Sequence, residues 1–280
     1  MKNHRIIGGG DLQLNLLETG NPKGRPILFL HGFSQSGRSW NRQLNSELGE
    51  DYRLVAMDLR GHGLSDKPQE GYSESRLWAD DVDAAIQTLG LADPILCGWS
   101  YGPLVILDYV RHYGEDRIGG IVFVGGITKL GSDEASSVIT PEFLNLVPGF
   151  FSKDADESAR SLGALLRLCL PQISEEDFSE MLGDSVSVPS HVREGLLSRS
   201  LDNDDLLPKI RKPVLIIQGV LDAVIKPAAA DQHKASIAHA RLEMIENAGH
   251  APFWDNAATF NRLLRAFAEG LDRGAGRAAS

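Results

Sequence analysis

The sequence predicts an α/β protein: a mostly parallel sheet with helices on both faces and a block of helices inserted late in the sheet. Three observations predict it. Short continuous apolar runs recur at Pro26–Leu30, Leu54–Met57, Ile95–Cys97, Ile121–Val124 and Val214–Ile217, as strands covered on both faces require. Stretches with helical spacing separate the early runs, and strands alternating with helices imply right-handed crossovers and a parallel sheet. From about Thr128 to Pro208 the rhythm stops, and amphipathic stretches broken by Pro, Gly and Ser take its place.

In chain order, Leu12–Leu16 alternates apolar and polar, which reads as a half-buried antiparallel strand at a sheet edge. Gly20–Gly24 is a turn, and the strand Pro26–Leu30 then ends in His31-Gly32-Phe33-Ser34. Ser36 to Leu48 reads as one helix. The strand Leu54–Met57 runs into Asp58-Leu59-Arg60-Gly61-His62-Gly63-Leu64-Ser65. Trp78, Val82, Ala85, Ile86 and Leu89 mark the inner face of the next helix. The strand at Ile95 breaks at Gly98-Trp99-Ser100-Tyr101-Gly102, and Leu104 to Tyr113 has helical spacing. This is a G-x-S-x-G pattern in its strand–turn–helix setting, with Ser100 on a strained turn and Pro103 in the first helical turn. The free N–H groups of that helix point at whatever sits over Ser100. Within the insertion the amphipathic stretches lie around 141–151, 157–170, 175–182 and 191–201. After Val214–Ile217 come a last strand at Leu242–Ile245 and a closing helix at Ala258–Ala268, and the glycine-rich end, 272–280, reads as disordered.

Composition narrows the function classes. Of 280 residues, 42% are hydrophobic and 24% charged, ordinary for a globular protein of this size, and no stretch is apolar enough to span a bilayer. The N-terminus has no apolar segment of the kind a secretory signal needs. The two cysteines, Cys97 and Cys169, read as buried thiols rather than a bridge, which suits a cytoplasmic location. A net charge of −10 argues against a nucleic-acid partner. No spacing of His, Cys, Asp or Glu suggests a metal, and no cofactor is expected.

His31-Gly32-Phe33, the Asp58–Ser65 stretch, Gly98–Gly102, Asp222 in Gly219-Val220-Leu221-Asp222 and Asn247-Ala248-Gly249-His250 together resemble the α/β-hydrolase superfamily over nearly the whole chain. The resemblance is to its serine-nucleophile, esterase- and lactonase-like branch. It implies the α/β-hydrolase fold, with about eight strands, a core at 1–127 and 209–271, and a helical cap or lid at 128–208. It also implies a triad. A serine hydroxyl needs a base, and among the eight histidines His250 follows the last strand in a Gly-containing loop. The base needs an acid, and Asp222 follows the strand at Val214 in the family order Ser, Asp, His. In some relatives the acid follows the sixth strand, where this chain has Gly125-Gly126 and no carboxylate. By family analogy the backbone N–H groups of Phe33 and Tyr101 form the oxyanion hole.

The side chains of Phe33, Trp99 and Tyr101 are candidates for an apolar acyl pocket or for core packing around the turn. Phe143, Phe150, Phe151, Leu165 and Leu166 are candidate cap lining and, equally, candidates for the cap's own core. Relatives that act on alkyl halides or epoxides use an aspartate where this chain has Ser100, so both activities are disfavoured. The expected function is hydrolysis of small carboxylic esters through an acyl-enzyme. Perhydrolysis is a common side activity of the group. Lactones, for instance acyl homoserine lactones, are the first alternative. C–C bonds of diketones are the second, and would call on polar cap groups such as Arg160, Arg167, Arg193 or Arg199, although cap arginines are more often solvated. A ligand receptor on the same scaffold is the non-enzyme alternative, separable by sustained turnover. The expected partner is a small-molecule ester or lactone, with no membrane and with oligomeric state open.

Overall fold

The computed structural model describes residues 1–278, with side chains through residue 272. Its strands are β1 (Lys2–Ile7), β2 (Gln13–Gly20), β3 (Pro26–Leu30), β4 (Arg53–Met57), β5 (Ile95–Trp99), β6 (Gly120–Val124), β7 (Val214–Gly219) and β8 (Arg241–Ile245). They form one eight-stranded sheet in the order β1-β2-β4-β3-β5-β6-β7-β8. β2 is antiparallel to both neighbours, and every pairing from β4 to β8 is parallel. This is the α/β-hydrolase fold that the sequence predicts.

The helices are α1 (Asn41–Leu44), α2 (Leu48–Asp51), α3 (Ser75–Thr88), α4 (Gly102–Tyr113), α5 (Asp133–Ser137), α6 (Pro141–Phe150), α7 (Ala155–Cys169), α8 (Glu175–Ser187), α9 (Ser190–Leu197), α10 (Ala228–Ser236), α11 (Pro252–Asp255) and α12 (Ala257–Ala278). Helices α5 to α9 all lie between β6 and β7, the stretch where the strand rhythm stops. None of the described helices is long and apolar enough to cross a membrane. Cys97 and Cys169 are buried and unbridged.

Four elements differ from the sequence reading. The strand around Leu12–Leu16 is not the edge: β1 lies outside it, with Ile6 as its one fully buried residue, so its hydrophobic pattern carries little signal. The single helix expected over Ser36–Leu48 is a 3₁₀ turn at Gly37–Trp40 followed by α1 and α2. Asn45 and Ser46 break it, because their side chains donate to the carbonyls of Asn41 and Gln43 and compete with the helical ladder. Helix α8 continues to Ser187, and α12 runs to Ala278, past the expected end at Ala268. Of the tail expected to be disordered, 279–280 and the side chains of 273–278 lie outside the described residues.

The two loop motifs meet beneath the sheet's C-terminal edge. His31 Nε2 accepts from the Leu59 N–H at 3.0 Å, and its Nδ1 donates to the Gly32 carbonyl at 2.8 Å. The His62 ring packs edge-on against it at 4.9 Å. Burial drives His31 down to about 4 and His62 to about 3, and it lowers His233, on α10, to about 4. All three are therefore neutral in the folded protein at neutral pH. Their contribution is complete above the unfolded value of about 6.5. It is lost as pH falls through 6.5 toward the folded values, because the unfolded chain then binds protons that the folded chain does not. Between pH 7 and pH 5 each site loses about 2 kcal/mol, so Tm falls by roughly 5 °C per site. A thermal melt series over that range measures it, and His233→Leu should flatten the slope. A Tm that is level from pH 7 to pH 5 would contradict the assignment.

Candidate active site

Ser100 sits between β5 and α4 with φ 57°, a left-handed conformation that a residue with a side chain rarely adopts. Two close approaches hold it there. A Cβ on Gly98 would lie 2.6 Å from the Gly102 carbonyl carbon, and a Cβ on Gly102 would lie 2.6 Å from the Leu30 oxygen, so strand and helix close only with glycine at both places. The Ser100 N–H donates to the Val124 carbonyl at 2.9 Å, and the Ile127 N–H donates to the Ser100 carbonyl at 3.1 Å.

Asp222 comes from the loop after β7 and His250 from the loop after β8. The His250 Nδ1–H donates to Asp222 Oδ2 at 2.9 Å, and the two side chains are 1% and 0% exposed, so water does not compete for the bond. That tautomer leaves Nε2 as an acceptor. Asp222 is fully engaged: Gln218 Nε2 donates to Oδ2 at 2.8 Å, and the Val224 and Ile225 N–H groups donate to Oδ1 at 2.8 and 2.9 Å. The backbone of His250 is held as well. Trp99 Nε1 donates to its carbonyl at 2.9 Å, and Asp255 accepts from the Gly249 N–H at 2.7 Å. Gly125 supplies no carboxylate and instead leaves room: a Cβ there would lie 3.3 Å from His250 Nδ1 and 3.4 Å from Asp222 Oδ2.

The two candidate oxyanion donors are aimed by planar peptides. In a trans peptide the N–H points opposite to the C=O. The His31 bond to the Gly32 carbonyl therefore fixes the direction of the Phe33 N–H, and the Ile127 bond to the Ser100 carbonyl fixes that of the Tyr101 N–H. Gly32 itself lies against Ser100, where a Cβ would come within 3.0 Å of the serine Cβ.

Ser100 and His250 open onto one small cavity of about 20 Å³, room for little more than a water molecule. Among the sequence candidates, Phe33, Trp99, Phe143, Leu165 and Leu166 line it. Phe150 and Phe151 do not. Phe150 is fully buried behind the wall, its ring 5.5 Å from Phe33 and 5.8 Å from Phe143. Nor does the Tyr101 side chain line it. Its hydroxyl turns toward the inserted helices, donating to the Leu196 carbonyl and accepting from Arg199, and burial pushes the phenol up to about 12.

Gln35, Cys169, Ser185 and Val224 complete the lining, and sequence reasoning missed them. Gln218 was missed too; its signal was a lone polar residue closing an apolar strand four positions before Asp222. Arg160 and Arg167 are exposed, but Arg193 and Arg199 are buried, against the expectation that such arginines are solvated. No arginine lines the cavity among the described residues. None of the described residues forms a His, Cys, Asp or Glu cluster able to hold a metal. A larger cleft of about 370 Å³ beside Asn15, Arg38 and Asp58 contains neither Ser100 nor His250.

Comparison with known proteins agrees with this architecture. The alpha/beta hydrolase fold family matches residues 25–257. The chain is similar to the solved structure of an esterase from Rhodococcus sp. ECU1013, with 34% identity and a TM-score of 0.92 over 97% of this chain and 100% of that one. It is also similar to an aryl-esterase candidate from Burkholderia cenocepacia, at 32% identity and a TM-score of 0.90 over 96% and 99% of the two chains. A non-heme haloperoxidase from Rhodococcus erythropolis is 30% identical, with 88% of this chain and 93% of that protein covered. By family match, topology and the geometry around Ser100, this chain belongs to the alpha/beta hydrolase fold family.

Proposed function

We propose that the protein hydrolyses small carboxylic esters through an acyl-enzyme, with Ser100 as nucleophile, His250 as base and Asp222 as the orienting acid. The observation that carries this reading is the buried hydrogen bond from Nδ1 of His250 to Asp222, behind a cavity that His250 and Ser100 line together. Ser100 Oγ attacks the ester carbonyl and gives its proton to His250 Nε2, while the Phe33 and Tyr101 amides receive the oxyanion. Collapse expels the alkoxide, which takes the proton from His250 and leaves as the alcohol. Water then gives a proton to the same nitrogen and attacks the acyl carbon, and Ser100 departs reprotonated as the acid is released. Asp222 holds the ring through Nδ1 and stabilises the imidazolium.

The esterase from Rhodococcus sp. at 34% identity supports an ester substrate, and the apolar wall supports an apolar acyl group. A cavity without arginine gives a charged diketone or dienoate no counter-ion, which disfavours C–C cleavage. The haloperoxidase at 30% identity favours a second use of the same intermediate: hydrogen peroxide in place of water would release a peracid.

Turnover of p-nitrophenyl esters from acetyl to octanoyl tests the reading, with lactones assayed in parallel. A burst of nitrophenol equal to enzyme, and an acyl adduct on the Ser100 peptide, are expected. The optimum should fall at short chains, because the cavity, lined in part by Leu165 and Leu166, is small. Leu166→Ala should raise kcat/KM for the octanoyl ester about tenfold, since each methylene accommodated is worth roughly 1–3 kcal/mol. An inert protein, or one active on lactones alone, would overturn the ester assignment.

A further inference from the structure

We infer that the inserted helices are a working part of the oxyanion hole: α8 braces the loop that carries the Phe33 amide, and Arg199 braces the residue that carries the Tyr101 amide. This rests on the ester-hydrolase reading above.

The residues directly after Phe33 bond, one after another, to a single turn of α8. Ser34 has φ 55°, a left-handed conformation, and is 1% exposed; its hydroxyl donates to the Ser185 carbonyl at 3.1 Å. Gln35 Nε2 donates to the Ser185 hydroxyl at 2.6 Å. The Ser36 hydroxyl donates to Asp184 Oδ2 at 2.7 Å, and the Arg38 guanidinium pairs with the same carboxylate. A backbone in a sparsely populated conformation persists only where its surroundings impose it. Here α8 supplies part of those surroundings, beside Asp58 after β4, which accepts from the Gly37 N–H at 2.7 Å.

The second donor is tied to the insertion by different groups. Arg199, just beyond α9, is 1% exposed and donates to the Tyr101 hydroxyl at 3.1 Å and to Asp108 Oδ2 at 2.7 Å. The Tyr101 hydroxyl in turn donates to the Leu196 carbonyl at 3.3 Å. The sheet side of each peptide is pinned by His31 and Ile127, and the far side by the insertion. Moving α8 and Arg199 would loosen the far side of both donor peptides together, whereas the Asp222 loop is tied to a different part of the insertion, where the Thr140 N–H donates to the Val224 carbonyl and the Lys226 N–H to the Val138 carbonyl. The insertion would then act on the transition state as well as on substrate fit. A donor displaced by an ångström loses much of its effect on a developing oxyanion and little of its effect on a neutral ester.

The test uses the full chain and the variants Asp184→Ala, Asp184→Asn, Ser34→Ala and Arg199→Gln. Each is checked for folding by thermal melt and assayed on p-nitrophenyl butyrate. The probe for the hole is phenylboronic acid: Ser100 Oγ bonds to boron, its proton passes to His250, and the tetrahedral boronate carries the negative charge. Butyl phenyl ether, which cannot react, reports ground-state binding. Asp184→Ala should lower kcat about tenfold or more and raise the boronate Ki by the same factor, with KM and the ether Ki within twofold of wild type. Asp184→Asn, whose amide oxygen still accepts from Ser36, should recover part of both.

Folded variants that lose thermal stability but keep kcat and boronate Ki would reduce these bonds to fold support and overturn the inference. Changes confined to KM and the ether Ki would mean that the insertion shapes the pocket only, and would also overturn it. If Asp184→Ala fails to fold, Ser34→Ala and Arg199→Gln decide by the same readouts. An inert wild type that Ser100→Ala does not alter overturns the ester-hydrolase reading itself. An active wild type with unaltered variants overturns only the role of the insertion.

Discussion

Ser100→Ala and His250→Ala should each lower kcat on p-nitrophenyl butyrate by about 10⁴–10⁶, with the double variant no worse than the singles. The non-additivity is the informative part. Without its base the serine hydroxyl is not a nucleophile, and without the serine the imidazole has no proton to take, so either loss removes the same step. KM should change little, because neither side chain supplies much of the apolar wall. Asp222→Asn should cost about 10⁴ in kcat with the fold intact. The amide can present its N–H to His250 Nδ1 and so stabilise the wrong tautomer. Gln218 sharpens this expectation, since its amide donates to the carboxylate oxygen that holds His250. Stopped-flow kinetics and mass spectrometry of the Ser100 peptide would read all three. Retention of more than about a hundredth of wild-type kcat by Ser100→Ala would end the serine mechanism.

Arg60→Met should destabilise the protein by about 3–5 kcal/mol, the cost of leaving one member of a buried ion pair alone. Arg60 and Asp81 have side chains 2% and 1% exposed and are joined by Arg60 Nε and one terminal nitrogen, at 2.7 and 2.8 Å. The same guanidinium reaches the carbonyls of Gly9 and Leu77, and Asp81 also accepts from the Gly9 N–H. The pair thus ties the β1–β2 connection to α3 and to the loop after β4. Burial raises the Asp81 carboxyl even with Arg60 beside it, so removing Arg60 leaves that buried carboxyl without the group that offsets its desolvation. Thermal melts should show Tm lower by roughly 10 °C. Arg60→Met combined with Asp81→Leu should regain only part of the loss, because it removes the lone buried charge but leaves the Gly9 N–H and the Gly9 and Leu77 carbonyls without these partners. A Tm change below 2 °C in the single variant would contradict the buried-pair account.

The sequence by itself determined the fold class, because strands buried on both faces must be continuously apolar, and that pattern is local. Ser100, Asp222 and His250 were legible as candidates for a related reason. Each lies in a loop that follows a strand, beside glycines at Gly98, Gly102, Gly219 and Gly249 that are written in the chain. What the sequence did not contain was distance. Whether Phe150 lines a cavity or backs its wall depends on how α6 is rotated against Phe33, and an apolar residue satisfies either place. Arg199 reads as one more surface charge until Asp108 and Tyr101, about ninety residues earlier, close around it. β1 was invisible because a strand with one buried residue carries almost no pattern, and the helix over Ser36–Leu48 was overcalled because Asn45 and Ser46 cap their own backbone. Local periodicity fixes which elements form. The pairing of polar groups across distant segments, which decides what a buried side chain holds, is a property of the tertiary structure alone.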